Sequence, residues 1–290
     1  MYYEKKEATY RIGARIHDIL KDSSTLQTDL QKARVQVAQL TLPKFVDASC
    51  ELTSNKLLEL LGAFTLAGTN IRVLSCYINP LAEDLQVQQE LFKRYIDYAV
   101  LMGVGIVATE TGTIDSNLSN FEKNHTEEIF VRLINAMSPL VEYAEARGVC
   151  IGLESVVYFP VCNGTTFNRF KGSFHEKSIC SIFDPTNLLY IGNYQNQREI
   201  FKGFVEMHAT DIKIIHLKDF VVENNTLREC ALFEGILDVD YVISLLKKYD
   251  VDADIIIEGA KSVDNYKEIS SRLKRMLRRN EKQGKLKTIC

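Results

Sequence analysis

Four short runs decide the fold: CIGLE (150–154), SIFD (181–184), KIIH (213–216) and IIIE (255–258). Each is an apolar, strand-like segment ending on a carboxylate or an imidazole, namely Glu154, Asp184, His216 and Glu258. Those residues lie 30, 32 and 42 positions apart, each gap about the length of a strand plus a helix. Packing alone gives no reason for a buried strand to end on a charged or metal-binding group four times over. Working outward, further apolar or period-two segments stand at RIGARIH (11–17), VQVAQLTL (35–42), IRVLSCYI (71–78) and GIVATE (105–110). With VCIGLES (149–155), SICSIFD (178–184), IKIIHL (212–217) and DIIIEG (254–259), they make eight strand segments.

Helical periodicity fills the intervals. The clearest helix is predicted over 84–102, with Val87, Leu91, Tyr95, Ile96 and Ala99 on one face. A second is predicted over about 125–147, with Asn124 as N-cap and Glu127 completing a capping box. Glycines in AGTNIRV, MGVGIV and RGVCIG stand where a helix hands over to a strand and the backbone needs positive φ. Eight such units favour a single (β/α)8 TIM-barrel domain over residues 1–290, a parallel eight-stranded barrel with outer helices. An open doubly wound sheet usually carries a Gly-rich loop after its first strand, and none is present. Two stretches break the rhythm, 157–177 and 219–237, and both are expected on the face that carries the βα-loops.

Composition narrows the setting. The chain is 46% hydrophobic and 25% charged with a net charge of −3, which gives no reason to expect a nucleic-acid or membrane partner. The first residues are polar and no apolar run is long enough to span a bilayer, so a cytoplasmic protein is expected. Seven cysteines without CxxC spacing fit a reduced compartment, with Cys76, Cys150 and Cys180 read as small core residues. The basic C-terminal stretch SSRLKRMLRRNEKQGKLK reads as a solvated last helix, and homo-oligomerisation is left open.

In a parallel barrel the C-terminal strand ends converge on one face. Glu154, Asp184, His216 and Glu258 then form a half-ring of three carboxylates and one imidazole, a first shell for one divalent metal ion. Such an oxygen-rich set favours Mn2+, Mg2+ or Co2+ over a structural Zn2+, with a catalytic Zn2+ left open. The metal would polarise a carbonyl and stabilise an enediolate. Glu154 and Glu258, facing each other across the mouth, would take and return a proton at the adjacent carbon.

The segments IGLES, FDPTNLL, IIHLKD and IIIEGA, with CYINP, TETG and RIGARIHD earlier, carry a resemblance. The chain resembles the xylose-isomerase-like TIM-barrel superfamily, in particular its sugar (phosphate) isomerase/epimerase branch. The resemblance implies metal binding by Glu154, Asp184, His216 and Glu258, the two glutamates serving as acid/base pair, and a sugar or polyol as substrate. It also has departures. Similar epimerases often carry a His where this chain has Asn187, and an Arg where it has Val222.

Lys218, two residues past His216, is predicted to enter the same mouth. His17, Tyr77, Asn79, Glu110 and Asn187 are further candidate substrate contacts, and Phe159, Phe167 and Phe170 candidate covers from the long loop. The leading expectation is a metal-dependent sugar or polyol isomerase or epimerase. An inosose-type dehydratase sharing the first proton abstraction is the runner-up, and a non-catalytic sugar-binding protein is a third reading. Apurinic endonucleases share the barrel but need several more histidines than the five here.

Overall fold

The eight predicted strand segments are the strands of a closed parallel barrel. The computed structural model describes residues 10–20, 23–44, 52–115, 117–174 and 178–287. The barrel runs β1 (Ile12–Arg15), β2 (Val37–Leu40), β3 (Asn70–Ser75), β4 (Ile106–Thr109), β5 (Cys150–Glu154), β6 (Ile179–Phe183) and β7 (Ile212–Leu217). A hairpin of β8 (Asp219–Glu223) and β9 (Thr226–Cys230) follows, and β10 (Asp254–Ile257) closes the barrel against β1. The helices are α1 (Ile16–Ile19), α2 (Leu26–Ala33), α3 (Ser54–Leu66), α4 (Leu85–Met102), α5 (Glu127–Glu145), α6 (Gly164–Gly172), α7 (Gln197–His208), α8 (Val239–Lys248) and α9 (Val263–Lys287). Among the described residues no helix is long and apolar enough to cross a membrane.

Strand alternation divides the apolar residues into two cores. Val37, Val73, Ile106, Ala108, Cys180, Ile182, Ile214 and Ile256 fill the barrel interior. Their strand neighbours, such as Ile215, Ile255 and Ile257, join the larger core beneath the helices. Gly13 and Gly152 leave room in the crowded interior. A Cβ on Gly13 would lie 1.8 Å from the Val37 carbonyl oxygen, and one on Gly152 would lie 2.7 Å from the Ile106 side chain. Gly68, Gly103 and Gly148, in the predicted helix-to-strand turns, have φ of 73°, 66° and 67°. In α9, Tyr266, Ile269, Leu273 and Leu277 form a buried stripe, as a helix with one solvated face requires.

Several local expectations are corrected. Helix α4 buries Phe92, Tyr95, Ile96, Ala99 and Met102, whereas Val87 in its first turn is exposed. The N-cap of α5 is Thr126, whose hydroxyl accepts from the Ile129 amide; Asn124 is buried and bonds to Thr113 and the Tyr158 carbonyl. The stretch 157–177 is not one long loop, because it contains α6, started by a capping box between Asn163 and Thr166. Phe167 and Phe170 lie in that helix, fully buried, and so cannot cover a substrate. Residues 175–177 lie outside the described residues, as do Cys50 and Cys290. Cys76 and Cys180 are buried and Cys150 is half-buried.

Candidate active site and metal centre

The interior residues of the barrel specify what reaches its mouth. Side chains two apart on a strand share a face, so each inward residue near the top of the barrel predicts the group above it. Gly13, Val37, Ala108 and Gly152 lead to Arg15, Gln39, Glu110 and Glu154. Ile182, Ile214 and Ile256 lead to Asp184, His216 and Glu258. Lys218 continues the inward face of β7, and Tyr77 that of Val73 on β3. The result is a polar ring above a dry apolar plug, opening into a cleft of about 380 Å3.

The ring is nearly closed to solvent: Glu154, Asp184, His216, Lys218 and Glu258 are each at most 5% exposed. Asn187 Nδ2 donates to Glu154 Oε1 at 2.6 Å. Asp184 Oδ1 accepts from the amides of Thr186 (2.8 Å) and Asn187 (3.2 Å), so the turn after β6 fixes the carboxylate. Arg15 donates from its two ends to Glu258 Oε2 and Asp18 Oδ2, both at 2.9 Å. Lys218 Nζ stands 2.8 Å from Glu229 Oε1, 3.1 Å from Asp184 Oδ2 and 3.6 Å from Glu258 Oε2.

Burial raises carboxylate pKa values and the neighbouring charges then sort the groups. Burial pushes Asp184 up to about 7 against the opposing pull of Lys218. Glu110 rises to about 8 through burial and the nearby Glu154 charge. For Glu258 burial is outweighed by His216, Lys218 and Arg15, which together bring it down to about 2. His216 goes the other way: burial lowers its pKa, but Glu258 and Glu154 lift it to about 9. Burial first, then these carboxylates, raises the Tyr77 hydroxyl well above its ordinary range. The Tyr77 residue as a whole is 42% exposed, so only its hydroxyl end, which accepts from Gln39 Nε2 at 3.2 Å, reaches this environment.

The residues fit a divalent cation on three observations. One ligand atom each from Glu154, Asp184 and His216 lie within 4.8 Å of one another. Asp184 Oδ2, His216 Nδ1 and Glu258 Oε1 are buried without a hydrogen bond; their polar neighbours are ion-pair contacts, Lys218 Nζ at 3.1 Å from Asp184 Oδ2, and Glu154 Oε2 and Glu258 Oε1 each at 3.3 Å from His216 Nδ1. Buried polar groups are normally bonded, so such atoms call for an explanation. Finally, His216 Nε2 is 2.5 Å from Gln39 Oε1, and Gln39 uses its amide nitrogen on Tyr77. With that amide orientation Nε2 carries a proton, so Nδ1 is the nitrogen that would give up its proton and offer a lone pair to a cation placed among the carboxylates. Glu258 stands beside this group of three rather than within it, one oxygen near His216 and the other held by Arg15.

The predicted side chains divide accordingly. Tyr77, Glu110, Glu154, Asn187, Lys218 and Glu258 line the cleft, as does Phe159, while Asp184 and His216 are buried beside Glu154 and Glu258 and are not among its lining residues. Asn79 is engaged elsewhere: its side chain bonds to Thr113 and the Leu81 amide and ties two loops together. His17 falls in α1, beyond the end of β1, and is not part of the cleft lining. Val222 is exposed on the hairpin and also lies outside the lining. Sequence reading missed Arg15, Gln39 and Glu229. The first two follow from strand parity above Gly13 and Val37. Glu229 depends on the hairpin, whose signal was the Asn224–Asn225 pair between two alternating segments.

A family model described as xylose isomerase-like TIM barrel matches residues 39–278. No curated protein matches the sequence. Among solved structures, a D-tagatose 3-epimerase-like protein superposes with a TM-score of 0.73 at 19% identity, covering 94% of this chain and 99% of that one. Mannonate dehydratase from Streptococcus suis serotype 2 gives 0.71 at 14% identity, covering 96% and 95%. A xylose isomerase-like TIM barrel protein from Mycobacterium smegmatis in complex with magnesium gives 0.66 at 14% identity, covering 93% and 97%. At these identities the likeness to solved structures is one of fold. The family match, by contrast, runs through the strands that carry the ring from Gln39 to Glu258, and the chain belongs to the xylose isomerase-like TIM-barrel family.

Proposed function

We propose that the chain is a divalent-metal-dependent enzyme that moves a proton at the carbon next to a carbonyl of a sugar or polyol, as an isomerase or epimerase. The observation that carries the reading is the cluster of three buried, unbonded atoms, Asp184 Oδ2, His216 Nδ1 and Glu258 Oε1, at the mouth of the barrel. Glu154, Asp184 and His216 would hold the ion, with Glu258 as a fourth neighbour. When bound, the ion supplies Lewis-acid stabilisation of negative charge on substrate oxygens.

The chain's own groups do the rest. Glu258, kept ionised by His216, Lys218 and Arg15, is the base on one side of the mouth. Glu154, oriented by Asn187, faces it from β5 and exchanges a proton on the other side. Tyr77 and Asn187 present polar groups for hydroxyls, and Tyr158 and Phe159 form an aromatic wall. Mn2+, Mg2+ and Co2+ suit the ligand set best, and a small-molecule substrate in the cytoplasm suits the composition. One observation favours a dehydratase as the second reading. Glu110, whose pKa burial raises, and Lys218 both line the cleft and could protonate a leaving hydroxyl.

Metal content by mass spectrometry of the parent, Glu154→Gln and Asp184→Asn tests the proposal, followed by carbon-bound proton exchange in deuterated water over a panel of ketoses and inososes. About one ion per parent chain, reduced in both variants, and exchange on at least one substrate are expected for this ligand set. A parent that takes up no ion from Mn2+ or Co2+ solution overturns it.

A further inference from the structure

The sugar reading of the cleft leaves the charge of the substrate unspecified, and the hairpin addresses it. Among the described residues two cations line the cleft, Arg15 and Lys218. Arg15 is already bonded to Glu258 and Asp18. Lys218 is buried among three carboxylates, and its shortest ion pair is to Glu229 at 2.8 Å. Glu229 comes from outside the barrel, on β9, and is 58% exposed on its side chain. The hairpin aims it. Asn224 and Asn225, at φ of 50° and 58°, make the tight turn that sets the register, pairing Phe220 with Glu229. Leu227 and Glu229 then face the cleft together. Arg228 between them pairs with Glu223 instead and is absent from the cleft lining. A slip of one residue would exchange the acid for the base.

We infer that Glu229 neutralises Lys218 so as to make the cleft selective for uncharged polyhydroxylated substrates over sugar phosphates and sugar acids. The balance supports this. With one divalent cation bound, Glu154, Asp184, Glu229 and Glu258 would be offset by Arg15, Lys218 and the ion, and Arg15 is further neutralised by Asp18, which leaves no surplus positive charge for an anionic group. Ionisation of Glu110 would make the mouth net negative. A phosphate or carboxylate would have to displace Glu229 or lie against like charge. A neutral polyol meets donors and acceptors already in place.

Calorimetric binding to the Mn2+-loaded protein, with metal content measured on the same sample, tests the inference. The probes are D-fructose, D-tagatose and D-psicose with their 6-phosphates, and myo-inositol and D-gluconate. Saturable binding of a neutral member, at least tenfold tighter than that of every anionic probe, is expected. In Glu229→Gln that ratio should shrink at least threefold, and in Arg228→Gln it should stay as in the parent. An anion bound as tightly as the best neutral probe overturns the selectivity. An unchanged ratio in Glu229→Gln overturns the role of that residue. A metal-loaded parent that binds none of the probes overturns the sugar reading itself, and this inference with it.

Discussion

The contact between Gln39 and His216 is the sharpest place to test the metal-site argument. Both side chains are fully buried, and Nε2 meets the amide oxygen at 2.5 Å. Replacing Gln39 by leucine keeps approximate size but removes the acceptor. The imidazole then has two choices. It can keep the proton on Nε2, where an unpaired buried donor costs about 1–3 kcal/mol. Or it can move the proton to Nδ1, the atom that must offer its lone pair to the ion. Both routes weaken the ion's hold, and loss of such a supporting partner typically lowers metal affinity about 10- to 100-fold, equivalent to about 1.4–2.8 kcal/mol. Calorimetric titration with Mn2+, or with Co2+ followed by its visible absorption, reads this directly. Gln39→Glu is the control, because it retains an oxygen acceptor and should bind the ion at least about tenfold more tightly than Gln39→Leu. A folded Gln39→Leu protein with parental affinity would refute the assignment of Nδ1 as the ligand atom.

Three further outcomes are expected. His216 is raised from 6.5 to about 9 and Asp184 from 3.8 to about 7, so each contributes stability that is full below the lower value and lost as pH rises through the upper one. The metal-free protein should therefore melt lower at pH 9.5 than at pH 6, and Asp184→Asn should narrow the difference; a parent melting temperature that is flat over that interval counts against both shifts. Glu258 acts in the opposite direction, since its stabilising ionisation is present above 4.5 and lost only as pH falls through about 2. Gly13→Ala places a Cβ 1.8 Å from a backbone oxygen that cannot rotate away, and should destabilise by about 3 kcal/mol, at the upper end for overpacking; calorimetric melting at the parental temperature would show that β1 and β2 are not packed as described. Glu258→Gln should slow carbon-proton exchange roughly 10²- to 10⁴-fold while the ion remains, because Glu154, Asp184 and His216 form the tight group without it; loss of the metal along with the exchange would make Glu258 a ligand first and a base second.

The barrel and the half-ring from β5 to β10 were legible because two simple periods coincide there. Apolar strands of four to six residues end where the chain must leave the barrel, so a charged terminal residue stands out against its own run. At the first strand the same reading overshot. RIGARIH alternates through His17, but the structure turns into α1 at Ile16, so the mouth position belongs to Arg15. Gln39 was hidden for a different reason: an amide inside VQVAQLTL looks like an ordinary half-buried strand residue, and only the inward placement of Val37 shows that it reaches His216. Helix α6 was concealed by its composition, since Asn163, Gly164, Thr165 and Thr166 read as a loop while forming a capped helix start. Glu229 could not be found by parity along the barrel, because the hairpin that aims it stands outside the barrel pattern.

The two ends of one strand differ in how completely their buried carboxylates are bonded. Asp254, Ile256 and Glu258 share the inward face of β10. Asp254 at the lower end is as buried as many core residues, yet both of its oxygens are used: Arg11 donates twice and Arg72 once, each at 2.7 Å. That carboxylate is complete, and a structural role accounts for it. Glu258, four residues on, keeps one buried oxygen without a hydrogen bond, as Asp184 does with Oδ2 and His216 with its ring nitrogen Nδ1. A chain selected only for stability could have closed this end as it closed the other, with one more arginine. Leaving three buried atoms of one cluster without a hydrogen bond, where an unsatisfied group costs about 1–3 kcal/mol, makes physical sense if a cation and a substrate complete them. The contrast along β10 therefore supports the proposed site at Glu258 and a scaffolding role for Asp254, from hydrogen-bond completeness.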